Sequence, residues 1–281
     1  MTTDPLEKFI ADALLEDIGE GDHTTLSCIP EHAGGKAVLL VKQDGVIAGI
    51  DIARKVFSTF DPNLTVEVFI RDGSHIRPGD KAFIVSGKQR SILQTERLVL
   101  NIMQRMSGIA TRTAIFVEQV SGTSAKILDT RKTTPNLRFL EKEAVRIGGG
   151  YNHRMGLYDM ILLKDNHIDY AGGIIPALDR TVAYLNSHNL DLKIEIEARS
   201  LDDVRKILQH GKTDRILLDN FTPELISQAV LLINGQMETE ASGGITLDNI
   251  RGYALTGVDY ISVGGLTHQI FSLDMSLKAI S

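Results

Sequence analysis

The sequence predicts an α/β protein: a sheet region near the amino terminus, then a parallel α/β half of about six strands that forms a truncated or open barrel. Three observations carry that prediction. Strand-like runs separated by Gly, Pro and Asp turns are concentrated in the first third of the chain. Beyond a helical connector, short apolar runs alternate with longer polar-apolar stretches, the signature of a parallel sheet flanked by helices. Six such strands are visible, whereas a complete eightfold barrel typically takes about 250 residues on its own, more than the second half of a 281-residue chain supplies.

The elements follow in order. "MTTDPLEKFIADALLEDIGEGD" is acidic and amphipathic and reads as a first helix. "KAVLLVKQDGVIAGI", "TVEVFIRDGSHI" and "KAFIVSG" are rich in β-branched and aromatic residues and are punctuated by turns such as "RPGD". From Ser91 to about Val120 the apolar residues recur at helical spacing, weakly interrupted by Gly108. Then come the six strands, "AKILDT", "MILLKD", "KIEIEA", "RILLDN", "METEAS" and "YISVGG". Between them lie helical stretches such as "SLDDVRKILQH" and "TPELISQAVLLIN", opened by a Ser or Thr suited to capping.

Composition narrows the function classes. No apolar run approaches the roughly 20 residues of a membrane helix, so no membrane partner is expected. The amino-terminal stretch lacks the basic start and apolar core of a secretory signal, which predicts a cytoplasmic protein. Cys28 is the only cysteine, so an intrachain disulfide and a cysteine-based zinc site are both excluded, and Cys28 itself is expected to be packing. A net charge of −6 argues against a broad basic surface and hence against nucleic acid as a partner. Any polyanion site must be local.

Such a site is suggested by the strand ends. Asp129 and Arg131 end or follow the first parallel strand, Lys164 the second, Glu197 the third and Asp219 the fourth. Ser242 and Gly243 close the fifth, and Gly264 and Gly265 follow the sixth. In parallel α/β folds, ligands bind at the carboxyl ends of the strands. Any one of these residues alone is more often a solvated loop residue or a helix cap, but all six strand ends together imply one site.

Their chemistry divides into three kinds. Arg131, Lys132, Arg138, Arg154 and Lys164, with His153, suit an anion bearing more than one carboxylate, because the arginine fork matches carboxylate geometry. Glu197 and Asp219 are oxygen donors of the kind Mg²⁺ accepts when it bridges to a phosphorylated substrate; a salt bridge to a nearby cation is the plain alternative for Glu197. "ASGGIT" and "SVGGLT" are Gly-rich turns whose amides can hold a phosphate. Three further readings stay open at this level. Arg97 reads as an ordinary exposed helix charge, His23 as a turn residue, and Lys164 as a competing Schiff-base lysine.

The segments "DTRKTTPNLR", "GGGYNHRMGLYDMILLKDNH", "IEIEA", "ILLDNF", "EASGGI" and "GVDYISVGGLTH" occur in the order and spacing of quinolinate phosphoribosyltransferase, also called nicotinate-nucleotide pyrophosphorylase (carboxylating). "EDIGEGDHTT" and "ERLVLNIMQRMSGIAT" extend the resemblance over nearly the whole chain. The resemblance implies an amino-terminal α/β sandwich over 1–110, with a carboxyl-terminal helix at 268–281 packing back on it. It also implies an incomplete α/β barrel over 111–267 that carries the active site. A homodimer or hexamer with sites shared between subunits follows, as does a Mg²⁺ cofactor. Quinolinate would meet Arg131, His153, Arg154 and Lys164, with Arg97 supplied by the neighbouring subunit. Phosphoribosyl pyrophosphate and its Mg²⁺ would use Lys132, Glu197, Asp219, Ser242, Gly243, Gly244, Gly264 and Gly265. Lys164, Glu197 and Asp219 are the residues assigned to catalysis, and Arg138 matches a family arginine near the site. One departure is visible: Asn136 stands where the family usually has glycine, and Asn is the non-glycine residue that best tolerates a left-handed backbone.

The implied reaction transfers phosphoribosyl to quinolinate with loss of CO2, giving nicotinate mononucleotide and pyrophosphate. Its rivals are a same-fold homologue acting on another anionic base, a Schiff-base lyase using Lys164, and a non-catalytic phosphosugar-binding module.

Overall fold

In a computed structural model, which describes residues 4–280, the chain opens with α1 (Pro5–Ile18). Asp4 caps this helix by accepting from the Leu6 N–H. Next come α2 (His23–Cys28), β1 (Gly34–Val41), β2 (Gly45–Val46), α3 (Ile50–Phe60), β3 (Thr65–Val68), β4 (His75–Ile76), β5 (Lys81–Lys88) and the long α4 (Gln89–Gln119). The alternating half contains β6 (Lys126–Leu128), α5 (Arg138–Ile147), β7 (Ile161–Leu163), α6 (Asp165–Ala171), α7 (Ile174–His188), β8 (Ile194–Ala198), α8 (Leu201–His210) and β9 (Arg215–Asp219). It continues through α9 (Pro223–Ile233), β10 (Glu238–Ser242), α10 (Ile250–Ala254), β11 (Tyr260–Ser262) and α11 (Gly265–His268) to β12 (Met275–Ile280). Two compact units result. One takes the residues through Arg112, the segment Pro135–Gly148 and the residues from Ile270 onward; the other takes Thr113–Thr134 and Gly149–Gln269.

The first unit is built on a four-stranded sheet of order β12-β1-β5-β3, antiparallel throughout. In α3, Ile50, Ala53, Val56 and Phe57 are buried, the three-and-four spacing that gives a helix one apolar face. Phe57 meets Phe83 of β5 edge-on at 5.9 Å between ring centroids, so the helix layer packs on the sheet as a sandwich. Gly108 does not interrupt α4: a Cβ there would lie 2.3 Å from the Phe271 carbonyl oxygen, so glycine is required by close backbone approach.

The carboxyl-terminal helix expected at 268–281 is corrected by the structure. Only the four residues of α11 are helical, and the segment ends as strand β12, paired with β1 from Lys36↔Ile280 to Val41↔Met275. Met275 and Leu277 are buried on alternate positions of "MSLKAI", a period of two that suits a half-buried strand. Cys28 is likewise exposed rather than packed, with its thiol donating to the Thr24 carbonyl.

The second unit holds a six-stranded parallel sheet of order β6-β11-β10-β9-β8-β7. The last strand returns to the first, β11 pairing β6 in parallel, so the sheet curls into a barrel. Among the described residues it does not close: β6 and β7 are both edges, with an isolated Leu128↔Tyr151 bridge beside β6. Ser200 and Thr222 cap α8 and α9 as their positions suggest, accepting from the Asp203 and Leu225 N–H groups. Period-two alternation places Ile216 and Leu218 against the helices. Glu195 and Glu197 of β8, Arg215 and Asp219 of β9, and Glu238, Glu240 and Ser242 of β10 then share the barrel's inner face. That face is far more polar than the Val, Ile and Leu layers usual in such barrels. No described helix is long and apolar enough to cross a membrane.

Candidate active site

Two carboxylates meet at the carboxyl end of the barrel. Glu197 and Asp219 end β8 and β9, and burial pushes both above their ordinary carboxylate values. Each is also anchored: Glu197 Oε2 accepts from the Asp165 N–H at 2.7 Å, and Asp219 Oδ2 from the Asn220 amide at 2.6 Å. The Asp219 charge raises Glu197 further, while the field of Lys164 favours ionisation of both and that of Lys132 favours ionisation of Asp219. A cation between them would offset the repulsion of two half-buried like charges. The donors are all oxygen, and the site keeps water access, which suits a hard ion such as Mg²⁺ shared with a phosphorylated ligand.

Next to the acids lie the glycine turns. Gly243 has φ 96°, and a Cβ there would sit 2.2 Å from Asn220 Oδ1, so the turn after β10 admits only glycine. Gly244 follows at φ 62°, and Asn249 ties the loop by donating to the Gly244 carbonyl and accepting from the Thr246 N–H. Gly264 lies against the Lys132 side chain: a Cβ there would be 3.0 Å from Lys132 Cδ. Thr267 Oγ1 donates to the Lys132 carbonyl at 2.7 Å, locking the loop after β6 to the turn after β11. Lys132, Asp219, Ser242, Gly243 and Gly264 are thus gathered from four strand ends.

The arginines form the other part. Arg154 is half-buried, and desolvation followed by the Arg131 charge holds its guanidinium below the usual arginine value. Arg131 Nε is buried with no hydrogen-bond partner among the described residues. Leaving a buried charged donor unpaired costs upwards of about 1–3 kcal/mol, and placing a second arginine beside it adds repulsion. A ligand with two carboxylates would relieve both at once.

His153, which the resemblance assigns to quinolinate, packs against two buried glutamates. Its imidazole is 7% exposed and turned into the barrel, with Nε2 2.9 Å from Glu195 Oε2 and 3.5 Å from Glu240 Oε2. Nδ1 accepts from the Arg154 N–H at 2.7 Å, which fixes the ring proton on Nε2. Both ring nitrogens thus face protein groups, and the reason is the pair of buried glutamates on the inner face. Lys164 is exposed at the start of α6, its backbone N–H donating to His167 Nδ1. Arg97 is exposed on α4 and Arg138 begins α5, both within the first unit.

Several residues of this region escape a reading based on strand ends alone. Asp165 and Asn220 position the two acids, while Glu195, Glu240 and Arg215 lie in mid-strand or at the opposite end. The available signal was the alternation in "IEIEA", which puts Glu195 on the same face as Glu197.

The chain is similar to known proteins along nearly its whole length. The family model for the quinolinate phosphoribosyl transferase C-terminal domain matches residues 109–278, and the model for the N-terminal domain of the same family matches residues 22–107. A chloroplastic nicotinate-nucleotide pyrophosphorylase [carboxylating] of Arabidopsis thaliana is 44% identical, over 97% of this chain and 82% of its own length. A probable enzyme of the same name from Bacillus subtilis is 42% identical, over 97% of this chain and 92% of its own. The crystal structure of NadC from Streptococcus pyogenes superimposes with a TM-score of 0.94 at 39% identity, covering 100% of this chain and 99% of that one.

Proposed function

The chain belongs to the quinolinate phosphoribosyltransferase family, and from that premise we propose that it transfers phosphoribosyl from phosphoribosyl pyrophosphate to quinolinate with decarboxylation. The enzyme is a nicotinate-nucleotide pyrophosphorylase (carboxylating), and its products are nicotinate mononucleotide, pyrophosphate and CO2. The observation that carries this reading for the chain's own residues is the opposed pair Arg131 and Arg154, one with a buried unpaired Nε. It supports binding of a dicarboxylate.

In the proposed reaction the pyridine nitrogen attacks C1 of the phosphoribosyl group as the C1–O bond to pyrophosphate breaks. The nitrogen brings its own lone pair, so no strong general base is required. The demand falls on positioning and on stabilising the leaving group. Arg131 and Arg154 orient the base; Lys132, Ser242, Gly243, Gly244, Gly264 and Gly265 hold the donor's phosphates. Mg²⁺, for which Glu197 and Asp219 are the fitting donors, would neutralise the departing pyrophosphate. N-ribosylation leaves the ring cationic, so the C2–carboxylate bond can break with its electron pair kept at C2, and a proton then replaces CO2 there. Lys164 sits where it can accompany that charge. Arg97 is assigned to the site of a neighbouring copy, in a homodimer or hexamer, and a cytoplasmic location completes the reading.

The test is to incubate the purified protein with quinolinate, phosphoribosyl pyrophosphate and Mg²⁺, and to quantify all three products. Equal amounts, abolished when Mg²⁺ is omitted, are expected. A folded protein that binds the donor and makes none of them overturns the substrate assignment.

A further inference from the structure

A column of charged groups runs through the barrel interior beneath the arginines. Arg215 Nη1 donates to Glu240 Oε2 at 3.0 Å. The side-chain ligand atoms of Glu240, Glu195 and His153 then lie within 4.8 Å of one another. Both glutamates are 0% exposed. His153 is gripped from two sides: its ring by Glu195, and its backbone N–H by Asp129 Oδ1 at 2.8 Å, another residue of 0% exposure. The ring's other nitrogen holds the Arg154 N–H. A rigid chain of contacts therefore leads from the barrel floor to the backbone of Arg154.

Stability alone does not account for this column. Replacing buried ionic groups with well-packed apolar ones is often neutral or stabilising, and comparable barrels fill these layers with aliphatic side chains. A bound metal ion does not account for it either, because the Arg215 guanidinium already occupies Glu240 Oε2 and would repel one. What the column does reach is Arg154, whose charge Glu195 supports against the neighbouring Arg131.

We infer that Glu195 and Glu240 are positioning residues for the quinolinate site, orienting His153 and through it fixing Arg154 where its guanidinium meets a substrate carboxylate. The inference rests on the functional reading above and goes beyond it by assigning substrate selectivity to residues that substrate never touches. Reshaping the floor of the barrel then changes quinolinate recognition at its mouth, while the phosphoribosyl donor, held by Lys132, Asp219 and the glycine turns, is left alone.

The experiment compares wild type with Glu195→Gln and Glu240→Gln, which keep side-chain shape and replace the carboxyl group with an amide. Quinolinate affinity is measured by isothermal titration calorimetry without donor, KM for each substrate by steady-state kinetics, and Tm by calorimetry. Glu195→Gln is expected to weaken quinolinate binding about tenfold, and Glu240→Gln, with its longer contact, about threefold. The donor KM should stay within about twofold and Tm within a few degrees. Unchanged quinolinate affinity in a folded variant overturns the inference, as does a parallel loss in donor KM and Tm. If Glu195→Gln does not fold, Glu240→Gln decides; if neither folds, the column is assigned to stability and the inference falls. Wild type is measured first. Failure of wild type to bind or convert quinolinate removes the functional reading itself, whereas normal binding in both variants removes only the positioning role.

Discussion

The two ends of the barrel use the same side-chain types to opposite effect. At the amino-terminal end opposite charges meet around one arginine. Arg215 spans Glu238 and Glu240 at 3.0–3.2 Å, and its guanidinium stacks 4.1 Å above the Tyr260 ring. The Tyr260 hydroxyl donates to Glu238, and Lys126 lies over both Tyr151 and Tyr260. At the carboxyl-terminal end like faces like: Arg131 beside Arg154, Glu197 beside Asp219. A satisfied network returns its electrostatic energy to the fold, whereas an opposed one holds it in reserve for a ligand. The difference separates the stabilising end from the binding end without reference to any relative.

That comparison can be broken by four measurements. The largest effect is expected from Arg215→Met, which strands buried glutamates. Breaking such a pair costs about 3–5 kcal/mol, so a fall in Tm of roughly 10 °C is expected by calorimetry; an unchanged Tm would mean the lower network is not stabilising. Asp219→Ala should cut kcat/KM for phosphoribosyl pyrophosphate by on the order of a hundredfold while leaving Tm level or higher, since it relieves repulsion. A variant that loses Tm in step with activity would place Asp219 among the stabilising residues. Arg131→Ala should raise the quinolinate KM by roughly tenfold or more, as loss of a charge-assisted hydrogen bond does, with donor KM unaltered; unaltered quinolinate saturation would unseat Arg131 from the substrate site.

The smallest effect sharpens the comparison through pH. Burial first, and the Glu195 charge second, raise Glu240 from 4.5 to about 8, so the folded protein keeps a proton that the unfolded chain releases near 4.5. Stability from this group is therefore full below pH 4.5, declines as pH rises toward 8, and levels off beyond. The slope is at most about 1.4 kcal/mol per pH unit. Across pH 5–8, denaturant unfolding should show wild type losing stability relative to Glu240→Gln, which has no proton to lose, so the two separate toward the alkaline side; parallel curves would show that Glu240 does not titrate in that window.

How much of this was legible in the sequence depended on how local the signal was. All six parallel strands could be read because "AKILDT" through "YISVGG" repeat one short pattern, and their polar ends marked the site. The strand at Met275–Ile280 was not, because its partner β1 is far away in sequence and the pairing that decides its conformation is non-local. Glu195 and Glu240 were hidden for a related reason: alternating glutamates on a strand ordinarily face water, and only curling of the sheet buries them. The inward turn of His153 depends in turn on those two residues. Gly108 looked like a weak point of a helix, and only the Phe271 carbonyl explains it. Asn136, by contrast, declared itself, and its φ of 64° is the conformation its residue type suggests.

One consequence of β12 concerns the order of events during synthesis. The strand that completes the first unit's sheet is encoded after every strand of the barrel, so the chain of the second unit leaves the ribosome whole while β1 still lacks its outer neighbour. Until Met275–Ile280 emerge, β1 is an unpaired edge with Val38, Leu39 and Val41 among its buried side chains, the kind of strand that recruits another chain. The first unit's sheet is therefore begun first and completed last, and β1 is the edge that waits longest for its neighbour.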